Sequence, residues 1–384
     1  MNHNRKIIYL AGFLFSMPVA LMLYINSSFL STFVKEELMS LTYTLASIAS
    51  IFGLLLAPTI FRKIGGHKFL LLVIAADALS ILFFAFSKNA WSAIPVFIIG
   101  FTLNTLVVFS LDEILKIFSK DSKTGRIRGI YLSVVHLAFI SSQLLLGITV
   151  LGHLPFQIIY IVAFGFMALF FLLAFFGLKD IPDPEYDNFK TFQYIKKFFG
   201  NKKLFRIYGI NFLLQFFYAW MVIYTPIYLS VHLGFTWAEI GIIFAIMLTP
   251  FIIIPFRIGK YADRAGERKI LMFGFLIAGV ATLSLFFVQL HSVWIWAVLL
   301  FTTRIGAATI DVMSDAYFFK HIKPENEEFV GVYRSALPIS FIIAPIVASL
   351  LFIFVPAFNF IYLILGAFML YGIYLSSTIR KSDI

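Results

Sequence analysis

The sequence predicts an all-α integral membrane protein of twelve transmembrane helices in two pseudo-symmetric six-helix bundles. Three observations carry that prediction: an apolar composition, twelve apolar runs of spanning length, and a repeat at half the chain length. Of the 384 residues, 61% are hydrophobic and 13% charged, where a soluble domain has about 45–50% and about 25%. Mean hydropathy is +0.95. A soluble fold of this size has no interior for so much apolar surface, and large exposed patches aggregate. The absence of Cys excludes disulfides, thiolate chemistry and Cys-ligated zinc.

A membrane helix needs about 20 mostly apolar residues. Twelve segments qualify: 7–30, 40–61, 68–87, 91–117, 128–151, 155–178, 204–230, 236–257, 269–290, 293–319, 328–354 and 357–378. The first follows Arg5 and Lys6 and is too long for the h-region of a cleaved signal peptide, so it reads as a span. Barrel strands are excluded, since they are about 10 residues long and alternate in polarity, whereas these runs are apolar all round.

Charge orients the spans. With the amino terminus inside, the seven cytoplasmic segments hold 27 of the 30 Lys and Arg. The opposite face keeps only Lys35 and Lys88, and Arg304 lies within a span. The positive-inside rule then expects both termini in the cytoplasm of a multi-pass cell-membrane protein. It also accounts for the net charge of +11 without nucleic acid, because the charge is scattered over short loops and forms no basic face.

Residues 179–203 are the one long polar gap. The gap opens on Asp180, Pro182, Asp183, Pro184, Glu185 and Asp187. Phe189, Phe192, Ile195 and Phe199 then recur at helical spacing among lysines, as in a helix lying on the inner leaflet. The gap divides the chain into a first bundle (1–178), a cytoplasmic linker (179–203) and a second bundle (204–384).

The halves come into register at an offset near 201 residues. Gly65 falls on Gly266, each in the basic loop after its half's second span. Asp112 falls on Asp315, each near the inner end of a fourth span, and Gly129 and Tyr131 fall on Gly331 and Tyr333. Parallel repeats of this kind place a substrate site near the midplane.

The loop after span 8 reads GKYADRAGERK, residues 259–269. It resembles the signature loop of the major facilitator superfamily, G-x-x-x-D-R-x-G-x-R-K, at Gly259, Asp263, Arg264, Gly266, Arg268 and Lys269. The span count and the half-length repeat resemble that family over the whole chain. The first-half copy departs from the pattern: around Arg62, Lys63, Gly65, Gly66 and Lys68 there is no acid at the position of Asp263. Physically, Gly259 and Gly266 permit tight turns, and Asp263 can accept bonds from Arg264 or Arg268 or cap a helix start. Asp315 is a second candidate partner for those arginines, and Asp112 is expected to pair with Arg62, Lys63 or Arg126. Such a cluster would latch helix ends in one state and free them in another. The alternative is a basic loop that only obeys topology.

An ionisable group at bilayer depth costs about 2.5–3.5 kcal/mol on insertion scales and is usually functional or paired. Arg304 sits about 11 residues into span 10, near mid-membrane at ~1.5 Å per residue. Asp311 follows seven residues on and Asp315 four more, spacings that share a helix face. The resemblance implies that span 10 faces the transport cavity. Two readings stay open: Arg304 binds a solute anion or hydroxyl with Asp311 as counter-charge or proton carrier, or Arg304 and Asp311 form a structural pair. Further candidate solute ligands are Asn211, Gln215 and Tyr218 of span 7, Tyr24 of span 1 and Asn104 of span 4; for each, plain interhelical hydrogen bonding is the alternative. Asp77 in span 3 and His136 in span 5 are further candidate proton carriers, or satisfied buried groups.

No phosphate-binding loop, nucleophile elbow or metal-ligand motif appears, so no enzyme activity, cofactor or metal is expected. The resemblance implies a secondary transporter for a small organic solute, working by alternating access and coupled to protons, with the lipid bilayer as its surroundings and a monomer as its state. Efflux of lipophilic compounds by antiport is the alternative within that class, and a non-transporting membrane sensor the alternative outside it.

Overall fold

The computed structural model describes residues 3–118, 124–149, 155–179, 191–255, 258, 266–321 and 328–379, and among these the secondary structure is helical without a strand. Among the described residues eleven helices are long and apolar enough to cross a membrane, and the apolar run Ser133–Gly147 is a shorter twelfth. Their outward faces stay apolar: Trp91 is 90% exposed and Phe354 82%. Side chains of that size facing outwards mark a surface made for lipid rather than water.

Contacts divide the chain into two units, Met1–Asp187 with Thr236–Gly241, and Asn188–Phe235 with Ile242–Ile384. Unit 1 holds α1 (His3–Leu23), α2 (Asn26–Ser31), α3 (Glu36–Ile64), α4 (Gly66–Ala85), α5 (Ala90–Phe118), α6 (Thr124–Thr149) and α7 (Phe156–Gly177). In it α1 packs on α6 and α7, α4 on α5 and α7, and α3 on α5.

Unit 2 holds α8 (Thr191–Gly200), α9 (Lys202–Ile227) and most of α10 (Trp237–Leu248). It continues with the helical residues 250–255, α11. Its remaining helices are α12 (Glu267–Phe287), α13 (Val293–His321), α14 (Glu328–Arg334), α15 (Ala336–Phe354) and α16 (Phe360–Ser377). Here α9 packs on α15 and α16, and α12 on α13 and α16.

Several expected spans are interrupted, for local reasons. The span expected over 236–257 breaks at Thr249, before Pro250; the residue before a proline is pushed out of helical geometry. That over 328–354 bends at Ser335, and Pro338 falls in the first turn of α15, where its missing N–H costs no bond. In α9, Pro226 withholds a donor. The chain then widens into a π-turn over Tyr228–His232, and Ser230 Oγ donates to the Pro226 carbonyl at 2.8 Å.

Helix starts are built from recognisable local chemistry. Asn201 caps α9, its side chain accepting from the Lys203 amide at 3.0 Å. Thr236 and Glu239 form a reciprocal capping box at α10. Gly65 and Gly266 precede α4 and α12 with φ of +84° and +77° and ψ of 149° and 145°. That region of backbone space is close to glycine-only.

The helix α8 lies within the stretch expected to rest on the inner leaflet, with one difference in its apolar face. Phe198, which the expected stripe omits, is fully buried, its ring 5.5 Å from Phe329 and 5.9 Å from Tyr208. Ile195 and Phe199 of the stripe remain exposed. An amphipathic helix touching protein on one side and an interface on another needs apolar residues beyond one stripe.

Candidate functional site

Unit 2 carries a buried charge on a spanning helix, α13. Arg304 is 2% exposed on α13, and its guanidinium lies 5.1 Å from the Phe217 ring and 5.4 Å from the Tyr218 ring, both on α9. Ring faces attract cations by about 0.5–1 kcal/mol when exposed and about 2 or more when desolvated. They accept no conventional hydrogen bond, and Arg304 Nε and Nη1 are buried without a hydrogen-bond partner. Arg304 forms no ion pair with Asp311 among the described residues.

Earlier on α9, polar side chains tie that helix to α14. Gln215 Nε2 donates to Asn211 Oδ1 at 3.3 Å, and Asn211 Nδ2 donates to the Tyr333 carbonyl at 3.2 Å. Asn211 is thus occupied in bridging helices, while Gln215 and Tyr218 are half-buried. Two turns along from Arg304, Asp311 is half-buried and its backbone carbonyl accepts from Ser314 Oγ at 3.1 Å. Asp315 takes a two-pronged bond from Arg334 of α14 at 2.8 and 3.4 Å, and of the two motif arginines named for it Arg264 lies outside the described residues.

In unit 1 the structure joins two of the expected residues. Asp77 is buried at 2% exposure. Ser80 Oγ donates to the Asp77 carbonyl at 2.8 Å and lies 3.3 Å from its carboxylate Oδ1. Asn104 on α5 lines the same pocket as Asp77. Tyr24 is buried at the turn between α1 and α2, and His136 is half-buried on α6, neither lining that pocket.

Of the signature loop, Gly266, Arg268 and Lys269 are described, Gly266 with the left-handed φ its position demands. Gly259, Asp263 and Arg264 lie outside the described residues, as does the side chain of Asp112. Inside the motif, Glu267 forms an ion pair with Lys320, joining the start of α12 to the end of α13. The sequence reading missed this pair; the acid's place between two motif residues was the available signal. It also missed Phe217 beside Arg304 and Ser80 one turn from Asp77, where helical spacing alone could have found the second. Among the described residues no three His, Asp or Glu side chains converge to hold a metal.

The family model described as Major Facilitator Superfamily matches residues 8–288 and 222–382. A crystal structure of a mutant of the nucleoside transporter NupG superposes with a TM-score of 0.74 at 14% identity, covering 98% of this chain and 100% of that one. No curated protein matches in sequence. At that identity the superposition establishes the fold, and the sequence model establishes kinship. The chain belongs to the major facilitator superfamily, as a multi-pass membrane transporter of all-helical fold.

Proposed function

We propose that the chain is a secondary active transporter that moves a small organic solute by alternating access, coupled to protons. In this reading its halves 1–178 and 204–384 flank a cytoplasmic segment, 179–203, with both termini cytoplasmic and the protein monomeric. One observation carries the assignment of a solute anchor: Arg304 is buried in a membrane-spanning helix with two donor nitrogens unpartnered. A guanidinium at that depth is costly without a counter-group. The described part of the chain supplies rings but no carboxylate, so the solute supplies the missing acceptor. A planar fork selects a carboxylate, a phosphate or a pair of hydroxyls. Tyr218, one of the two rings on the guanidinium, and Gln215, two residues before Phe217 on α9, complete a polar face for the rest of the solute. Asp311, on the helix face of Arg304 and without an ion pair among the described residues, is the proton carrier, while Asp315 stays bound to Arg334. The nucleoside named for the similar structure does not select the solute here, since only the fold is shared at 14% identity.

Reconstitution in proteoliposomes tests this. A panel of labelled carboxylates, phosphates and polyols is screened by counterflow exchange and by accumulation driven by an imposed pH gradient. For the solute found, Arg304→Lys should lower exchange at least about tenfold while folded yield holds, because lysine keeps the charge but loses the fork. Asp311→Asn should abolish accumulation and spare exchange. Full accumulation by Arg304→Ala would remove α13 from the solute path.

A further inference from the structure

Unit 1 contains a pocket of its own, of about 90 Å³, bounded by the end of α1, by α4 and by α5. Its polar side is formed by Asp77 and Ser80 of α4 and by Asn104 of α5, with Asn26 at the start of α2. Asn26 is held in place by the Tyr160 hydroxyl, which donates to its Oδ1 at 2.8 Å. Its apolar side is a row of rings, Phe84 to Phe97 at 5.8 Å and Phe97 to Phe101 at 5.9 Å between centroids. Asp77 Oδ2 is buried and has no hydrogen-bond partner. A buried carboxylate oxygen with no donor is an unsatisfied acceptor, costly until a donor reaches it.

We propose that this pocket binds a small primary ammonium ion, R–NH3+, independently of the solute held at Arg304. The ammonium has three N–H donors on one cationic centre. Asp77 Oδ2 accepts one, and the Ser80 hydroxyl and the Asn104 amide oxygen accept the others. The phenyl rings favour both a cation and an alkyl tail. Size limits the tail: the pocket is smaller than the ~150 Å³ cavity that admits benzene, so a chain of two or three carbons fits. Hard divalent metal ions fit less well, since they take about six or more oxygen ligands and gain nothing from the phenyl wall. A quaternary ammonium carries charge but no N–H to satisfy the carboxylate.

The full chain in lipid nanodiscs is unfolded by heat, followed by tryptophan fluorescence, in ethylammonium, tetramethylammonium or sodium chloride at equal ionic strength. Ethylammonium should raise the midpoint saturably, by about 4 °C near saturation, and the other two cations should not. Asp77→Asn should abolish the shift. Gly100→Ala offers a second route that leaves the carboxylate intact. Its new methyl would sit 2.8 Å from Ser80 Oγ, turning that hydroxyl away, and the ethylammonium concentration for half-maximal shift should rise at least about tenfold. An equal shift with sodium or tetramethylammonium, no shift with ethylammonium, or an unchanged half-maximal concentration in Gly100→Ala would each overturn the proposal. None of these outcomes touches the Arg304 reading, which counterflow measures separately.

Discussion

In both units the first spanning helix packs on the fifth and sixth, and the third on the fourth and sixth. The same hydrogen bond recurs as well. Ser142 of α6 donates to the Met17 carbonyl of α1 at 3.0 Å, and Ser340 of α15 donates to the Phe212 carbonyl of α9 at 3.2 Å. The units part company where the third helix meets the fourth. In unit 2 a methyl on Gly306 of α13 would lie 2.5 Å from both the Ala278 nitrogen and the Gly274 carbonyl oxygen of α12, so the backbones touch. At the offsets that pair Gly65 with Gly266 and Asp112 with Asp315, unit 1 has Val73, Asp77 and Leu103 in those places. Unit 1 there has a pocket with a buried carboxylate; unit 2 has a sealed seam and sets its buried charge, Arg304, against α9 instead. A duplicated scaffold can thus keep its helix pairings while a few side chains turn the same seam into either glue or a binding site. In lipid, where helix association depends on close packing rather than on escape from water, small residues make the glue.

The sharpest way to break this comparison is to give unit 2 the unit 1 residue. Gly306→Leu places a side chain where backbone atoms of α12 already sit, and no flexible neighbour can yield. Overpacking typically costs about 1–3 kcal/mol and occasionally more, and a backbone clash belongs at the upper end. Folded yield from detergent should fall severalfold or vanish. The exchange Leu103→Gly in unit 1 should cost far less. Comparable losses at the two sites would mean that the two seams are not different in kind.

The buried charge of unit 2 gives the next largest effect, of opposite sign. Arg304→Leu removes a guanidinium with unpartnered donors and leaves an apolar side chain between α9 and α13. Replacing buried charge by well-packed apolar groups is often stabilising by about 1–4 kcal/mol. The unfolding midpoint should therefore rise while solute exchange is lost. A fall in the midpoint together with lost exchange would mark Arg304 as a structural residue with a partner outside the described chain.

Much of this was legible before any coordinates. Composition and run length give the twelve spans, because lipid leaves the backbone few choices, and the glycine and aspartate matches give the repeat. The isolation of Arg304 from Asp311 was not legible. Spacing puts both on one helix face, but whether they meet depends on side-chain direction and on what α9 presents, and two turns of helix separate them by about 10 Å. The surroundings of Asp77 were hidden for a similar reason. Spacing marks it as a mid-span acid, but that it lines a pocket with Ser80 and Asn104 depends on which side of α4 meets α5. The break at Thr249 is written in the adjoining Pro250, which hydropathy averaging smooths away.

A third substitution sharpens the likeness rather than the difference. Gly65 and Gly266 hold nearly the same positive-φ backbone ahead of α4 and α12. A side chain in such a conformation costs about 1–3 kcal/mol. A methyl on Gly266 meets nothing within 4 Å, so the loss on Gly266→Ala would be conformational alone. Gly65→Ala and Gly266→Ala should lower the unfolding midpoint by similar amounts. A loss at Gly266 several times that at Gly65 would show that the signature loop contributes through contacts as well as through turn geometry.

The smallest effect tests whether the two units also match in their interhelical hydrogen bonds. Ser142→Ala and Ser340→Ala each delete a hydroxyl bridging the fifth helix of a unit to the first. Each hydroxyl also bonds within its own helix, to the carbonyl of Ala138 at 2.8 Å and of Ala336 at 2.7 Å. The carbonyls it leaves retain their helical N–H bonds, so neither substitution strands a buried acceptor. Interhelical hydrogen bonds in membranes average about 0.6 kcal/mol, and each single variant should lose about that much. The double variant should lose about the sum, because the two bonds share no residue and lie in different units. Ser142 has a second link through its neighbour Gln143, whose Nε2 donates to the Ala20 carbonyl at 2.8 Å. If Ser142→Ala is the milder of the two and Ser142→Ala with Gln143→Leu exceeds the sum of its parts, the first pair of helices in unit 1 is held by a small cooperative network. Strict additivity would reduce the two units to the same single bond in each.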